Sequence, residues 1–319
     1  MTSLPPTHLR ERGRDGDERA DLDYPPLPEA LTVTVYDNHT HLEIADGANS
    51  LDYREHLDRA SAVGVRGVVQ VGTDLETSRW SAEVAAVEPR ILAAVALHPN
   101  EAPELAARGE LQAALAEIDE LASRPRVRAI GETGLDFFRT GPEGRTSQFE
   151  SFEAHIEIAK KHGLALQIHD RDAHEYVVKT LLRVGAPENT VFHCFSGDLE
   201  LARVLADNGW YASFAGTVTF KNAQNIRDAL EFLPRAQLLL ETDAPYLTPT
   251  PLRGRPNAPY LLPYTLRSMA DYLGTDPSML AAQISSNTEL VYGSWDSEPP
   301  EPDQESGVGD TDPLAADIA

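Results

Sequence analysis

Short apolar runs rich in β-branched residues alternate with longer helical patterns between residue 31 and about residue 293. The runs predict eight strands, at 32–37, 67–71, 91–97, 127–131, 165–169, 190–194, 211–214 and 237–241. Apolar residues recur at helical spacing in the intervening stretches, at 51–63, 111–121, 148–161, 173–182, 199–206 and 225–232. Helices with one apolar stripe that follow strands in this way are typical of a parallel sheet covered by helices.

This alternation predicts an α/β fold, and the most economical arrangement of eight units is a TIM-like (β/α)8 barrel. Such a barrel typically takes about 250 residues, which leaves little room for a second domain in this chain. A doubly wound open sheet shows the same alternation, so the placement of functional residues must decide between the two folds. We predict one barrel domain over residues 31–293.

Both ends of the chain lack apolar runs. Residues 1–30 contain five prolines, and residues 294–319 contain eight acidic residues and no basic one. Segments of this composition bury too little apolar surface to fold by themselves. We therefore predict a disordered N-terminal tail at 1–30 and an acidic, disordered C-terminal tail at 294–319.

The formal net charge of the chain is −24. The two tails carry −3 and −8 of it, which leaves −13 for residues 31–293. An acidic body argues against a protein that coats duplex DNA, because nonspecific affinity comes mainly from Lys and Arg side chains that neutralise phosphates. It is compatible with an enzyme in which metal ions supply the positive charge.

Cysteine content and hydropathy bear on the compartment. The single cysteine, Cys194, excludes an internal disulfide framework. The sequence shows neither the apolar stretch of a signal peptide nor the ~20 apolar residues of a membrane span. We expect a cytoplasmic protein without a membrane partner, and the sequence leaves its oligomeric state open.

Residues that commonly bind metal ions lie at the ends of five predicted strands. They are His39, His41, Glu132, His169, His193 and Asp243. The carboxyl ends of barrel strands converge at one face, where active sites lie, so we expect these side chains to meet there. Four imidazoles and two carboxylates form a mixed nitrogen and oxygen site suited to Mg, Mn or Zn. Six ligands exceed the needs of one structural zinc and favour two divalent ions roughly 3.5–4 Å apart, with Glu132 as the bridge.

The stretches around these residues resemble the TatD family of metal-dependent deoxyribonucleases, which belongs to the amidohydrolase superfamily. The resemblance covers essentially the whole body and is carried by DNHTH (37–41), GETGLD (131–136), IHDRDA (168–173), HCFSG (193–197), SFAGTVTF (213–220), LETDAPYL (240–247) and PLRGRPN (251–257). It implies a TIM barrel in which Mg or Mn supports phosphodiester cleavage of the 3′-exonuclease type. Thr133, Phe137 and Phe138 depart from the family pattern beside the site, which bears on substrate preference.

The resemblance also assigns roles to individual residues. It implies that one ion is held by His39, His41, Glu132 and Asp243, and the other by Glu132, His169 and His193. Asp243 would in addition orient or deprotonate the attacking water, so that Asp243 and Glu132 are the expected catalytic residues.

Four further residues at or after strand ends are expected to contact the substrate: His98, Arg171, Lys221 and Arg253. The planar fork of arginine suits phosphate binding, with ion pairs to the abundant acids as the alternative. Asp37 and Asp136 are interpreted as supports for ligands or strand ends. Cys194 is interpreted as a buried hydrophobe facing away from the ligands. The other histidines, including His56 and His155, are interpreted as surface residues.

Three functions stay open on the sequence alone. The first is a metal-dependent nuclease that acts on DNA ends or single strands, with DNA as its partner. The second is a hydrolase of an ester, lactone or aminoacyl-RNA bond that uses the same site. The third is a metal-bound, non-catalytic scaffold whose acidic tail recruits partners. The complete set of candidate ligands favours an enzyme.

Overall fold

The computed structural model of the protein describes residues 5–13 and 21–296. Its centre is a sheet of eight parallel strands in the order β10-β9-β8-β7-β6-β5-β4-β2. The strands are β2 (Val35–Thr40), β4 (Val65–Val71), β5 (Ile91–Val95), β6 (Val127–Asp136), β7 (Ala165–Arg171), β8 (Thr190–Phe192), β9 (Tyr211–Phe214) and β10 (Leu238–Leu240). A separate pair is formed by β1 (Arg10–Glu11) and β3 (Ile44–Ala45).

The sheet closes where its first and last strands meet. Beyond β10, the N–H of Asp243 donates to the carbonyl of His39 at 2.9 Å. The N–H of His41 donates in turn to the carbonyl of Ala244 at 2.8 Å. These bonds make the sheet a barrel rather than an open sheet, so the prediction of a TIM-like (β/α)8 fold is confirmed.

Helices cover the outside of the barrel. They are α1 (Tyr53–Ala62), α2 (Leu75–Val87), α3 (Ala102–Ala107), α4 (Leu111–Ala122), α5 (Arg145–His162), α6 (His174–Val184), α7 (Leu199–Asn208), α8 (Gln224–Phe232), α9 (Leu262–Leu273) and α10 (Pro277–Tyr292). Asp52 and Asp74 cap the first two helices with side-chain hydrogen bonds to backbone N–H groups. None of the helices in the described part of the chain has the length and apolar character needed to cross a membrane.

Strand β6 differs most from its predicted bounds, because it continues five residues past the expected end at 131 and reaches Asp136. The extension pairs Gly134 with His169 on β7. Only glycine fits there: its φ is +142°, and a Cβ would lie 2.1 Å from the carbonyl oxygen of His169. The close approach brings Glu132 of β6 and His169 of β7, two candidate ligands, side by side.

Residues 291–295 close one end of the barrel interior. Val291, Tyr292 and Trp295 pack with the inward apolar residues of the strands. The Trp295 ring stacks on Tyr36 with centroids 4.0 Å apart. Residues 294–296 therefore belong to the barrel, three residues beyond the expected boundary, because a buried indole anchors them. The rest of the predicted acidic tail, 297–319, lies outside the described residues.

The N-terminal segment also differs from the expectation of a disordered tail at 1–30. Residues 5–13 and 21–30 lie on the barrel, where Leu9 and Tyr24 pack against the core. Trp80 donates to the carbonyl of Pro6 at 2.9 Å, and Tyr260 to that of Pro25 at 2.6 Å. A few apolar side chains and hydrogen bonds to backbone carbonyls thus anchor this segment on the barrel, although it contains too few apolar residues to fold by itself. Residues 1–4 and 14–20 lie outside the described part.

Candidate metal centre

The end of β2 brings two imidazoles into the upper barrel. His39 and His41 are buried, with ring centroids 5.1 Å apart. The carboxyl of Asp37 supports this strand end, because it accepts hydrogen bonds from the N–H of His39 at 3.3 Å and the N–H of Thr242 at 2.9 Å. Asp37 therefore couples the strand end that carries the histidines to the segment that carries Asp243.

Glu132 on β6 lies at the centre of the cluster. Its Oε2 is 2.9 Å from His193 Nε2 and 3.1 Å from His169 Nδ1, and its Oε1 is 3.6 Å from His41 Nε2. Burial alone raises the pKa of Glu132, but the imidazoles of His193, His98 and His169 together hold it well below its usual range. The side chain is therefore a carboxylate that faces imidazoles from several strands.

Asp243 lies just beyond the end of β10, beside His39 and His41. Its Oδ1 is 3.6 Å from His41 Nε2 and 3.8 Å from His39 Nε2. The side chain is 13% exposed, so one carboxylate of the site opens toward the barrel mouth. Asp243 thus combines contact with the imidazoles and access for solvent.

Three overlapping groups of side chains can each offer ligand atoms within 4.8 Å of one another. The groups are His39–His193–Asp243, His39–His41–Glu132 and His98–Glu132–His169. The first two share His39, and the last two share Glu132. Within the described part of the chain, the sequence-predicted residues therefore converge on one site.

The chemistry of this site fits a divalent cation. Both ring nitrogens of His39 are buried without a hydrogen-bond partner among the described residues. An orphaned buried polar atom is costly, and a metal ion that takes a nitrogen lone pair removes that cost. Burial, together with neighbouring His193, holds the pKa of His39 well below its usual value, so the ring is neutral and able to ligate.

Comparison with known proteins gives the family. The protein-family model described as TatD related DNase matches residues 36–293 of this chain. The chain belongs to the TatD family. The uncharacterized metal-dependent hydrolase TatD of Mycobacterium tuberculosis is 43% identical over 263 residues, which cover 81% of this chain and 98% of that protein.

Other TatD relatives agree with this assignment. The 3′-5′ ssDNA/RNA exonuclease TatD of Escherichia fergusonii is 35% identical over 252 residues, covering 76% of this chain and 93% of that protein. The crystal structure of YJJV, a TatD homolog from Escherichia coli, superimposes with a TM-score of 0.71 at 29% identity, over 82% of this chain and 98% of that one. This chain is accordingly a metal-dependent hydrolase of the TatD family.

Three further carboxylates lie beside the imidazoles of the candidate ligands. Glu43 Oε1 lies 3.9 Å from His41 Nδ1, Glu241 Oε1 lies 3.4 Å from His193 Nδ1, and Asp136 Oδ2 lies 3.2 Å from His169 Nε2. Carboxylates beside ligating imidazoles orient the rings and raise their basicity. Sequence reasoning singled out Asp136 for such a role and missed Glu43 and Glu241, although each lies two residues from an expected ligand.

His98, which was expected to contact the substrate, also lies within the cluster of candidate ligands. Its Nε2 is 3.9 Å from Glu132 Oε2, and its ring centroid is 4.4 Å from that of His169. The N–H of Asn100 donates to His98 Nδ1 at 3.1 Å, which turns Nε2 toward the cluster. His98 is thus a seventh candidate ligand as well as a residue near the mouth.

The expectation that Cys194 faces away from the candidate ligands is wrong. Strand β8 ends at Phe192, and Cys194 has a φ of +42°, so the alternation of an extended strand does not apply to it. Its N–H donates to Glu241 Oε1 at 2.7 Å. Burial, followed by the nearby carboxylates of Asp243, Glu241 and Glu132, raises the pKa of the thiol well above its usual value. Cys194 therefore lies beside the acidic centre as a neutral thiol.

The surface interpretation is also wrong for His56 and His155, which are both buried. His155 Nε2 accepts from the N–H of Leu97 at 3.1 Å, and its Nδ1 lies 2.7 Å from the carbonyl of Ser151. Because α5 packs on the barrel, the inward face of a helix can hold a polar ring whose two nitrogens are both satisfied.

Two of the expected substrate-binding arginines lie at the mouth, each over an aromatic ring. The guanidinium of Arg171 lies 3.9 Å from the ring centroid of Phe138, which is 63% exposed. The guanidinium of Arg253 lies 3.9 Å from that of Phe220. Among residues 5–13 and 21–296, the contact found for each of these two guanidinium groups is therefore with an aromatic ring. Lys221 is exposed next to Phe220.

Proposed function

We propose that this TatD-family hydrolase is a deoxyribonuclease of the 3′-exonuclease type that acts on DNA ends or single strands. The observation that carries the proposal is the central position of Glu132, whose two oxygens face imidazoles from different strands. A carboxylate whose two oxygens face donor groups on different strands can bridge a pair of ions. We further propose two divalent ions, Mg or Mn, with Zn as the alternative.

The proposed ligand sets are those that the resemblance to the TatD family implies. His39, His41, Glu132 and Asp243 hold one ion, and Glu132, His169 and His193 hold the other, with His98 near Glu132 and His169. When bound, such ions polarise phosphoryl oxygens and lower the pKa of water. The neutral state of His39 and the ionised state of Glu132 are the protonation states that ligands need.

The protein's own groups complete the reaction. Asp243, which is partly open to the mouth, accepts a proton from the attacking water and orients it toward phosphorus. Asp37 holds the backbone of this segment through Thr242. Arg171 and Arg253 bind phosphate groups of the DNA strand. The exposed ring of Phe138 offers a face on which a base can stack.

One further observation supports nucleic acid as the substrate, and a second bears on how it would be bound. The relative from Escherichia fergusonii is named an exonuclease of single-stranded DNA and RNA. The acidic charge of the chain suits a local grip at a strand end better than a broad duplex contact.

The test is hydrolysis of end-labelled single-stranded and duplex DNA by the purified protein with Mg, Mn or Zn, with a chelator as control. Metal-dependent release of nucleotides from the 3′ end is expected. A parallel panel of carboxylic esters and lactones tests the alternative function, hydrolysis of an ester or lactone bond at the same site. Absence of phosphodiester cleavage with every metal, or a strong preference for the ester panel, would overturn the proposal.

A further inference from the structure

The N-terminal segment reaches the mouth of the metal centre, although it lies outside residues 36–293 that the family model matches. Strand β1 pairs in parallel with β3, Arg10 opposite Ile44 and Glu11 opposite Ala45. The N–H of Leu9 donates to Glu43, and that of Arg12 to Ala45, both at 2.9 Å. These bonds fix the segment directly after the turn that carries His41.

Arg12 contacts two loops at the site, one that follows His41 and one that follows Asp243. Its Nη1 donates to the carbonyl of Pro245 at 2.6 Å and pairs with Asp46 at 3.1 Å. Its guanidinium lies 5.1 Å from the ring centroid of Tyr246. The Tyr246 ring lies in turn 6.3 Å from that of His41. One tyrosine ring therefore separates Arg12 from a candidate ligand.

Arg12 also lines a cleft of about 180 Å³ at this edge of the mouth. The other lining residues are Phe220, Leu247, Thr248, Arg253, Gly254 and Arg255. Three arginines thus line this cleft in a chain whose formal net charge is −24. Asp21 pairs with Arg255 at 3.1 Å, whereas Arg253 lies over the Phe220 ring.

We propose that Arg12 is a substrate-binding residue supplied by the N-terminal segment, and that this cleft binds a backbone phosphate of the strand next to the scissile phosphodiester. The inference rests on the proposed function and adds a subsite to it. A guanidinium fork matches two phosphate oxygens, and the aromatic ring beneath Arg253 provides a surface for the attached nucleoside. A linear polyanion is the ligand that spans this cleft and the metal centre together.

The test compares two substrates in full-length Arg12→Gln. One is an oligothymidylate, which reaches the cleft, and the other is thymidine 5′-p-nitrophenyl phosphate, which has a single phosphodiester. The variant should raise KM for the oligonucleotide about tenfold, the effect of losing one charged hydrogen bond, with kcat little changed. Hydrolysis of the small substrate should stay within about twofold of the parent. Arg79→Gln, which removes an ion-paired arginine between α2 and α4, is the matched control.

A binding measurement separates this inference from the proposed function. In the Asp243→Asn background, the slope of log Kd for oligothymidylate against log salt should fall by about 0.7 when Arg12 is also replaced. Cleavage of neither substrate by the parent protein refutes the proposed function, and the salt slope still tests Arg12. Equal losses on both substrates would reduce Arg12 to a support for Pro245 and overturn the inference, as would no loss on either. If Arg12→Gln does not fold, Arg12→Lys, which keeps the charge without the fork, should raise KM for the oligonucleotide by less than about tenfold and leave the small substrate unaffected; an unchanged KM for both would overturn the inference.

Discussion

Asp37 accepts hydrogen bonds from both the backbone N–H and the hydroxyl of Thr242, so one buried carboxyl ties the first barrel strand to the segment after the last. The seam of the barrel therefore closes directly beside the candidate metal centre. Asp243 follows Thr242 and His39 follows Asp37 by two residues, so the same contact sets the distance between two candidate ligands.

Replacement of Asp37 should weaken both the fold and the site. Asp37→Ala leaves buried N–H groups without acceptors, and we expect the free energy of unfolding to fall by about 2–3 kcal/mol. Metal affinity should fall by roughly 10–100-fold, as expected for loss of a supporting group. Chemical denaturation and metal titration measure the two effects. Asp58→Ala, which removes an exposed partner of Arg90, should change neither; an unchanged affinity in Asp37→Ala would contradict the coupling.

Removal of the Glu132 charge should abolish activity and metal binding together. In Glu132→Gln the imidazoles of His41, His169 and His193 lose their common carboxylate, so we expect metal affinity to fall by more than about 100-fold. A chelator should lower the Tm of the parent protein and leave that of the variant unchanged, because bound metal stabilises only the folded state. Glu117→Gln, at an exposed ion pair, is the control. A variant that keeps its metal content would refute the central role of Glu132.

Phe138 should contribute to binding of single strands. Its exposed ring beside Arg171 can stack with one base, which is worth about 1–3 kcal/mol, so Phe138→Ala should weaken oligonucleotide binding about tenfold. Fluorescence anisotropy with labelled single-stranded DNA measures the change. Phe232 is an exposed phenylalanine of α8 that lies near Arg203 of α7, and Phe232→Ala should bind single-stranded DNA like the parent. Equal affinities for Phe138→Ala and the parent would exclude the stacking role.

His155 should make the stability of the fold depend on pH. Burial lowers the pKa of His155 to about 4, so the unfolded chain takes up a proton below about pH 6.5 while the folded chain stays neutral. The free energy of unfolding should therefore fall as pH decreases through this window, by on the order of 3 kcal/mol at its acidic end. His155→Gln keeps an acceptor for Leu97 without a titrating ring and should show a smaller decline. Denaturation curves at several pH values test this, and identical slopes in both proteins would contradict it.

Gly134 should be intolerant of any side chain. A Cβ there would meet the carbonyl oxygen of His169 at 2.1 Å, so Gly134→Ala must push β6 and β7 apart. We expect a loss of several kcal/mol, in the upper range for single substitutions, and loss of activity. Gly109→Ala is the control, because it has positive φ but open space, and should cost only about 1 kcal/mol. Similar melting temperatures for the two variants would show that β6 tolerates the displacement.

The sequence located most of the barrel because its signals are local. Strand β9 has the predicted bounds, and the six candidate ligands were identified at strand ends that do converge. The extension of β6 escaped notice, because it depends on how closely Gly134 approaches a neighbouring strand. The helix α2 was likewise not among the predicted segments, although Asp74 and Thr77 form a capping box at its start.

The sequence by itself determined the alternation of strands and helices, the family motifs and the kinds of atoms available to a metal, since each follows from residues close together in the chain. Only the tertiary structure decided that Glu43 and Glu241 lie beside the imidazoles, that His98 joins these rings, and that Arg12 reaches the mouth. These facts rest on contacts between distant parts of the chain, such as Arg12 with Pro245, 233 residues away. Such contacts are set by the register of the strands and the closure of the barrel, which no local pattern encodes.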